Sequence, residues 1–519
     1  MAGRVDGAPL AAAQAAADVD VDVDVDVDVD VGVDVRAFAL GSLDADRSFF
    51  DQSRAVLMAR APGRLDLMGG IADYSGSLVL EYPIRRATWV FAQSCDDDPS
   101  GDRRLTIESV TDQALADDGA PSTSRRAVSI PLEELTPAAG PLDYAHAHAW
   151  LTADPRQAWA AYVAGALVVL QRERGRTLGH GARLLIHSDL PTGIGLSSSA
   201  ALEVAALETL AALTDTVLSD RELALLAQLI ENFVVGAPCG VMDQMTVASG
   251  RRGCLLGILC QPAEVEGHIP LPPDLEVWGI DSGIRHAISG ADYVSVRAAA
   301  FMGYRIVAEA AGLVATVAAS PGNVKIDDPI FGGYLANVTS TRWRARFRDL
   351  VPRQIDGRSF LERHGGTTDV ATRIEPGRTY QLRACTEHPI LEHERVRRFR
   401  DLLLTGASFE SSRLELGQLM YASHESYSAC GLGSWGTDRL VDLVRAAGPG
   451  AGLYGAKITG GGSGGTVAVL ARRGSGGAIL EIAARHGRET GLPCQTFTGS
   501  SSGSRAFALH RLEPAQQTR

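Results

Sequence analysis

Apolar residues recur along the chain in two patterns, which predict short strands and longer helices. Arg183–His187 is a short run rich in Leu and Ile, which is typical of a buried strand. Ala200–Leu213 contains neither Gly nor Pro, and Leu and Ala recur there at helical spacing. Between them, Asp189–Ser199 contains two glycines and ends in three consecutive serines. The sequence therefore predicts a strand, a glycine-containing loop and a helix that begins at the serines.

Similar patterns predict further elements on both sides of this central segment. Strands are expected at Val56–Arg60, Leu78–Ile84, Thr88–Ala92, Glu276–Ser282 and Thr466–Leu470. Helices are expected at Ala158–Arg174, Arg221–Val235, Ala298–Ala311, Glu394–Leu404, Leu414–Tyr427 and Arg439–Ala447. The hydrophilic stretch Asp96–Arg126 is expected to be a surface excursion or an insertion, and the aperiodic stretch Arg353–Thr379 a loop or a variable insertion. Because helices alternate with short strands in both halves, we expect an α+β fold.

The N-terminal stretch differs in composition from the rest of the chain. Between Asp18 and Asp34 a Val-Asp repeat supplies eight aspartates and no basic residue. Strict alternation would place an aspartate at every position of one strand face, so like-charge repulsion favours a solvated chain. We therefore expect a disordered acidic tail over residues 1–37, a first domain over 38–262 and a second over 263–512. The connection is expected within Gln261–Pro273, where the composition shifts towards proline.

Composition and charge limit the classes of function. The 519 residues are too many for one compact core and suggest two domains. The net charge is −13, but about −5 remains once the eight aspartates of the repeat are set aside, with no basic face for nucleic acid. The seven cysteines are scattered without a C-x-x-C pair, and no apolar run approaches the ~20 residues of a membrane span. We therefore expect a cytoplasmic protein with neither a nucleic-acid nor a membrane partner.

Two glycine-rich segments have the composition of ligand-binding loops. Gly193 and Gly195 let the backbone approach a ligand, and the helix that follows has unpaired N–H groups and a dipole that attract nucleotide phosphates. The alternative is that a serine only caps an ordinary core helix. Lys457–Gly465 contains five glycines and is followed at once by the predicted strand Thr466–Leu470. We expect it to pack against a ligand or against the first loop, rather than to be a flexible linker.

Three stretches together resemble the signatures of one kinase superfamily. Pro62–Tyr74, Pro191–Ala200 and Lys457–Gly465 stand in the order found in the galactokinase, homoserine kinase, mevalonate kinase and phosphomevalonate kinase (GHMP) superfamily. The resemblance runs from about Ala55 to about Ala508. It implies a two-domain GHMP kinase fold, with an N-terminal ATP-binding domain of a type also found in a ribosomal protein and a ferredoxin-like C-terminal domain. The sequence has no G-x-x-x-x-G-K-[ST] motif, which agrees with a mechanism that does not use a P-loop.

Further motifs resemble one branch of this superfamily. The galactokinase branch is indicated by Ala61–Arg64, Leu196–Ser199 and Pro238–Asp243. The chain resembles the kinase part of plant L-arabinokinases more closely still, at Met68–Ser75, Trp278–His286 and Ser423–Tyr427. The resemblance implies ATP- and Mg²⁺-dependent phosphorylation of the anomeric hydroxyl of L-arabinose. The alternatives are a galactokinase and a non-catalytic sugar-sensing regulator, although the serine loop and the expected catalytic aspartate are both complete.

The resemblance also implies roles for individual residues. Asp243 matches the catalytic aspartate, which accepts the proton of the sugar hydroxyl, and Arg64 matches the arginine that faces it. Ser199 and Glu231 match the metal contacts. The sugar contacts match Asp73, Gly240 and Tyr293. The ATP phosphates are expected over Gly193, Gly195, Leu196, Ser197, Ser198 and Ser199.

Two substitutions bear on the choice of sugar. Where galactokinases have a Glu and a His that address the exocyclic hydroxymethyl group, this chain has Gly70 and Ile71. L-Arabinopyranose has the ring configuration of D-galactopyranose without that group, so the missing side chains and the missing group coincide. This predicts a preference for L-arabinose, with weak use of D-galactose. The alternative is that the two residues only reshape a turn.

Several of these residues also have structural explanations. Glu231 could be a helix-surface carboxylate, Arg64 a partner in a surface ion pair and Tyr293 a core tyrosine. His286 and His424 are isolated histidines on regular elements, and we expect structural rather than catalytic roles for both. The sequence predicts neither the adenine pocket nor the oligomeric state.

Overall fold

The structure is a computed structural model that describes residues 49–95, 103–113, 122–285, 291–318, 322–406 and 408–513. The chain from Phe50 onward forms one compact unit. The expectations for residues 1–37 and for His286 lie outside the described residues. Within the described ranges, no helix is long and apolar enough to cross a membrane.

Strands and helices make up most of the described chain. The strands are Val56–Met68, Leu78–Cys95, Arg104–Gln113, Ser122–Pro131, Gly181–Ser188, Cys254–Leu259, Glu264–Pro270, Leu275–Asp281, Ala315–Val317, Val324–Ile326, Ile355–Asp356, Thr379–Tyr380, Leu453–Ile458, Thr466–Arg472, Thr496–Thr498 and His510–Leu512. The α-helices are Leu132–Leu135, Tyr144–Leu151, Ala161–Arg174, Ser198–Leu213, Asp220–Leu229, Met242–Ser249, Ala291–Ala310, Ser340–Arg342, Gly357–His364, Leu382–Thr405, Glu410–Cys430, Trp435–Ala447, Gly476–Thr490 and Ser504–Phe507.

The larger sheet is organised around the long strand Leu78–Cys95. This strand pairs antiparallel with Val56–Met68, and further with Gly181–Ser188 and Cys254–Leu259 at different parts of its length. Arg104–Gln113 joins next to Gly181–Ser188 in the parallel sense. The first two strands are buried at nearly every position, because helices and loops cover them. Charged residues within these strands must therefore find partners inside the protein.

A second, antiparallel sheet provides the other half of the framework. Its strand order is Leu453–Ile458, Thr466–Arg472, Leu275–Asp281 and Thr496–Thr498. Apolar side chains from this sheet and from the helices after Ser434 and Ser475 form a separate buried cluster, which includes Leu440, Val444, Val469 and Ile479. The turn between the first two strands is the glycine-rich run. The sheet therefore presents that run at its end, next to the loop that precedes helix Ser198–Leu213.

Most elements predicted from the sequence are present, but three predictions need correction. Leu78–Cys95 is one continuous strand rather than two. The stretch expected as a surface excursion contains strand Arg104–Gln113, whose alternate side chains Leu105 and Ile107 are buried in the sheet. The stretch expected as a loop contains the amphipathic helix Gly357–His364, which buries Phe360. In these three cases the local sequence pattern did not predict the element correctly, because tertiary contacts stabilise it.

The position of the boundary between the two domains remains a proposal. Cys254–Leu259 and Glu264–Pro270 form a hairpin that belongs to the larger sheet. The boundary expected between residues 262 and 263 would fall within the turn of this hairpin. We therefore propose to place the division after Pro270, where the chain leaves the larger sheet.

Candidate active site

The helix begins at the serines, as the sequence predicts, and the loop before it has an unusual backbone. Ser197 precedes helix Ser198–Leu213 with a φ of +59°. Gly193 and Gly195 have φ values of +73° and +77°. Left-handed backbone is strained for a non-glycine residue, and such strain concentrates at ligand sites. The buried Ser197 hydroxyl has no hydrogen-bond partner among the described residues. The loop thus leaves donors available for an anion at the start of the helix.

The glycine-rich run packs directly on this loop. The backbone N–H of Thr466 donates to the carbonyl of Ile194 at 3.0 Å. A Cβ atom on Gly195 would lie 2.7 Å from the carbonyl oxygen of Thr459, and one on Gly460 would lie 3.0 Å from the Cα atom of Gly195. The two backbones approach so closely that neither position has room for a side chain. The expectation that the run packs against the first loop is therefore confirmed.

Arg64 and Asp243 meet at the edge of this loop. Arg64, in strand Val56–Met68, donates from Nε and Nη2 to Oδ1 of Asp243 at 2.9 and 2.6 Å. Its Nη1 donates to the carbonyl of Gly195 at 2.6 Å, and its backbone N–H to that of Leu196 at 3.1 Å. Arg64 is 2% exposed, whereas the side chain of Asp243 is 20% exposed. The arginine thus joins the loop to a carboxylate that solvent or a substrate can reach.

The sequence did not predict the other charged groups around Arg64. Glu81 is fully buried, with Oε2 at 3.1 Å from Nε of Arg64. Asp66 lies opposite Glu81 on the paired strand and forms a buried ion pair of 2.6 Å with Lys457. Burial and the charge of Asp66 raise the pKa of Glu81 well above its usual range. Burial would lower the pKa of Arg64, but Asp243 and Glu81 together raise it, so the guanidinium stays charged.

Glu231 and Ser199 also come together, close enough to Asp243 for its charge to act on Glu231. Glu231 lies in the π-helical turn Ile230–Val235 that continues helix Asp220–Leu229. The amide of Gln244 donates to Oε2 of Glu231 at 2.6 Å and to the buried Glu203 at 3.2 Å. Burial raises the pKa of Glu231 to about 7, even though a hydrogen bond from Ser199 acts in the opposite direction. Glu231 is therefore a buried carboxylate and not a surface one.

The hydroxyl of Ser199 and the carboxylate of Glu231 fit a magnesium ion. Both are oxygen donors, which Mg²⁺ prefers, and this ion is commonly held by few protein ligands together with substrate phosphates. Within the described residues, no group of three or more His, Cys, Asp or Glu side chains could hold a metal by itself. A two-ligand site beside a phosphate loop agrees with both observations.

Asp73, Gly240 and Tyr293 lie near one another and near Asp243. Asp73 is 3% exposed, and its Oδ1 has no hydrogen-bond partner among the described residues. A Cβ atom on Gly240 would lie 1.7 Å from Oδ2 of Asp73, so only glycine fits there. The half-buried Tyr293 contacts Tyr74 edge to face, with 5.9 Å between the ring centres. Burial and the charge of Asp243 raise the pKa of Asp73 to about 6.

Position 70 has no room for a side chain. A Cβ atom on Gly70 would lie 1.8 Å from the hydroxyl of Tyr427 and 2.0 Å from Oδ2 of Asp66. The hydroxyl of Tyr427 lies 3.0 Å from Oδ2 of Asp66, to which it donates. Ile71 has a φ of +50° and is 1% exposed, in an apolar cluster that contains Tyr74 and Tyr427. Gly70 and Ile71 therefore belong to a turn that packs against residues distant in the sequence, such as Tyr427.

Other residues near this turn were also not predicted from the sequence. His388 lies 3.0 Å from the carbonyl of Gly70, and burial lowers its pKa to about 4. The buried Glu392 accepts the N–H of Gly69 at 3.1 Å. Charged residues in the otherwise apolar segments LDLM and LVLEY were a signal for Asp66 and Glu81, because a buried strand carries few charges without a reason. His424 pairs with Asp438 at 3.1 Å, which agrees with a structural role.

Comparison with known proteins identifies related sequences over the same segments. Residues 161–251 match the GHMP kinases N terminal domain, and residues 405–489 match the GHMP kinases C terminal domain. Residues 47–94 match a galactokinase galactose-binding signature. These ranges include the loop, Asp243, Arg64 and Asp73, and the match to the C terminal domain includes the glycine-rich run.

Individual relatives cover most of the chain. It is 42% identical to an L-arabinokinase of Arabidopsis thaliana over 494 residues, which are 89% of this chain but 47% of that protein. The chain thus spans about half the length of this relative. It is 32% identical to a galactokinase of Chloroflexus aggregans over 414 residues, which are 79% of this chain and 82% of that protein. The fold is similar to that of Lactococcus lactis galactokinase complexed with galactose, with a TM-score of 0.66 and 20% identity over 90% of this chain and 99% of that one.

Proposed function

The chain belongs to the galactokinase branch of the GHMP kinases, and we propose that it transfers the γ-phosphoryl group of ATP to the anomeric hydroxyl of L-arabinose. The observation that carries the proposal is the contact of Arg64 with both Asp243 and the carbonyl of Gly195. One arginine thereby fixes the distance between a phosphate loop and a carboxylate that a substrate can reach. Phosphoryl transfer depends mainly on such positioning and on charge stabilisation.

Each of these residues has a separate role in the proposed reaction. Asp243 accepts the proton of the sugar hydroxyl while that oxygen forms its bond to phosphorus and ADP leaves. Of the three carboxylates near Arg64, Asp66 and Glu81 are 0% exposed, so Asp243 is the one that can take up this proton. Arg64 pairs with Asp243 and balances the charge that develops on the phosphoryl group. Ser199 and Glu231 would hold Mg²⁺, which neutralises phosphate charge when bound.

The sugar assignment follows from the turn that contains Gly70 and Ile71. The identity to an L-arabinokinase over 89% of the chain supports it. The Tyr427 hydroxyl fills the space beside Gly70, so a glutamate that would address an exocyclic hydroxymethyl group has no place there. D-Galactose would bury its additional hydroxyl near Ile71 without an acceptor. Galactokinase activity is the second candidate, because Asp73 and Gly240 would serve the ring shared by both sugars.

A panel of pentoses and hexoses with the purified chain, ATP and Mg²⁺ tests the proposal. We expect kcat/KM for L-arabinose to exceed that for D-galactose by about 5- to 150-fold, from the ~1–3 kcal/mol cost of an unpaired buried hydroxyl. Asp243→Asn, prepared in the same way, controls for contaminating kinases. Equal or better use of D-galactose would overturn the L-arabinose assignment. Sugar binding without sugar-dependent ADP release would instead indicate a regulator.

A further inference from the structure

A second buried arginine lies beside the proposed sugar contacts and takes no part in the chemistry described above. Arg297, in helix Ala291–Ala310, is 7% exposed. Its Nε and Nη2 donate to the two carboxylate oxygens of Asp369 at 2.9 Å each. Its Nη1 donates to the carbonyl of Cys239 at 2.7 Å. A single side chain thus connects a helix of the second half, a loop 72 residues further on and the turn that precedes Asp243.

The plane of this guanidinium is fixed by aromatic neighbours. It lies over the rings of Tyr74 and Phe301, at 5.4 and 5.6 Å from their centres. Tyr74 is itself in edge-to-face contact with Tyr293, which precedes Arg297 by one helical turn. Stacking together with a two-pronged carboxylate bond is specific to a planar guanidinium, and lysine cannot reproduce both contacts.

Asp369 is held in turn by its own loop. The hydroxyl of Thr372 donates to Oδ2 of Asp369 at 2.6 Å, and the N–H of Ala371 donates to Oδ1 at 3.1 Å. The three side-chain nitrogens of Arg297 and both carboxylate oxygens of Asp369 are therefore hydrogen-bonded. Burying such an ion pair stabilises a protein no more than an apolar contact of the same size would, because both charges lose their hydration. A role in placing other groups explains the pair better than stability does.

The groups that Arg297 places are the proposed sugar contacts. Cys239, whose carbonyl it holds, directly precedes Gly240, and Gly240 packs against the carboxylate of Asp73. Burial raises the pKa of Asp73, and the charge of Arg297 acts in the opposite direction. The Tyr293 side chain is held on the same helix through Tyr74. Three residues from three distant segments thus depend on one guanidinium for their relative positions.

We propose that Arg297, oriented by Asp369, is a positioning residue that holds Gly240, Asp73 and Tyr293 in the geometry required to bind the sugar. This inference rests on the proposed function. It adds that the sugar half of the site is set by an ion pair in the second half of the chain, whereas Arg64 sets the phosphate half.

The test compares Arg297→Lys with Arg305→Lys. Arg305 lies on the same helix, about 12 Å further along its axis, is equally buried and pairs with Glu309 at 2.7 Å. Arg297→Lys is expected to raise the KM for the sugar about tenfold or more, with the KM for ATP changed less than about twofold, because misplaced binding groups weaken one substrate only. Arg305→Lys is expected to leave both values near those of the wild type.

Thr372→Val provides a milder second variant in case Arg297→Lys folds poorly. It removes one hydrogen bond to Asp369 without changing size and is expected to raise the sugar KM about two- to fivefold. Parallel increases in both KM values, a loss of kcat alone, or no change in either variant would overturn the inference. Calorimetric measurement of sugar affinity without ATP distinguishes failure of this inference from failure of the proposed function. If the wild type binds sugar but does not phosphorylate it, only the function fails, and a wild type that binds no sugar overturns both.

Discussion

The proposed nucleotide side and the proposed sugar side of the site are built from different parts of the polypeptide. On the nucleotide side, backbone meets backbone: Gly195 and Gly460 touch, and the loop offers N–H groups at a helix start. On the sugar side, buried side chains such as Asp73 and Arg297 come from distant segments, and their charges interact. The phosphate of every nucleotide has the same shape, so a backbone cradle suffices. A particular sugar differs from others by single hydroxyl groups, which only placed side chains distinguish.

Asp243 joins the two sides, and its substitution should have the largest effect. Asn keeps the size of the side chain but cannot take up a proton, so we expect Asp243→Asn to lower kcat by about 10²- to 10⁴-fold. Sugar and ATP affinities, measured by calorimetry, should change little. Asp154→Asn, at an exposed aspartate that pairs with Arg156, is the control. A kcat within a few-fold of wild type would remove Asp243 from the catalytic role.

Two glycines of the same loop test the backbone construction of the nucleotide side. Gly193 and Gly195 both have left-handed backbone, so alanine at either adds similar strain, of about 1 kcal/mol. A Cβ at 195 would also meet the carbonyl of Thr459 at 2.7 Å, whereas one at 193 meets nothing within 4 Å. We expect Gly195→Ala to lose a further ~1–3 kcal/mol of stability and to raise the KM for ATP more than Gly193→Ala does. Equal thermal unfolding midpoints would show that the packing of the two loops is unimportant.

Sugar binding should respond to pH. Burial and the charge of Asp243 raise the pKa of Asp73 to about 6, and its ionised form accepts hydrogen bonds from sugar hydroxyls. We expect the sugar KM to rise about tenfold from about pH 7 to about pH 5, measured at saturating ATP. In Asp73→Asn this dependence should disappear. A pH-independent sugar KM in the wild type would contradict the assignment of Asp73.

Loss of the fold does not account for such an effect. A carboxyl group whose pKa is raised on folding binds its proton more tightly in the folded state. Its contribution to stability is therefore complete below its ordinary pKa of about 4 and is lost as pH rises through about 6. Acidification towards pH 5 makes the contribution of Asp73 to folding more favourable. Weaker sugar binding at low pH would thus report on the site itself.

The sequence by itself predicted the glycine-containing loop, the helix that follows it and most of the regular elements. Glycine spacing, a run of serines and a helical period are local properties, so the loop, helix Ser198–Leu213 and the glycine-rich run could all be read from the chain. Local patterns failed where polarity hid a strand at Arg104–Gln113 and where a short helix, Gly357–His364, lies in an aperiodic stretch. Both are stabilised by contacts that the sequence does not display.

Only the tertiary structure decided which buried charges meet. Lys457 lies 391 residues from Asp66, and Arg297 lies 72 residues from Asp369. The pairing of Arg64 with Asp243 was expected, but from the family resemblance and not from any local pattern. The space beside Gly70 is likewise filled by the hydroxyl of Tyr427, from a helix far along the chain. Such partners depend on which strands and helices lie side by side, and no local period encodes that. Because a buried charge without a partner is costly, the fold fixes these pairs together, and with them the shape of the sugar side.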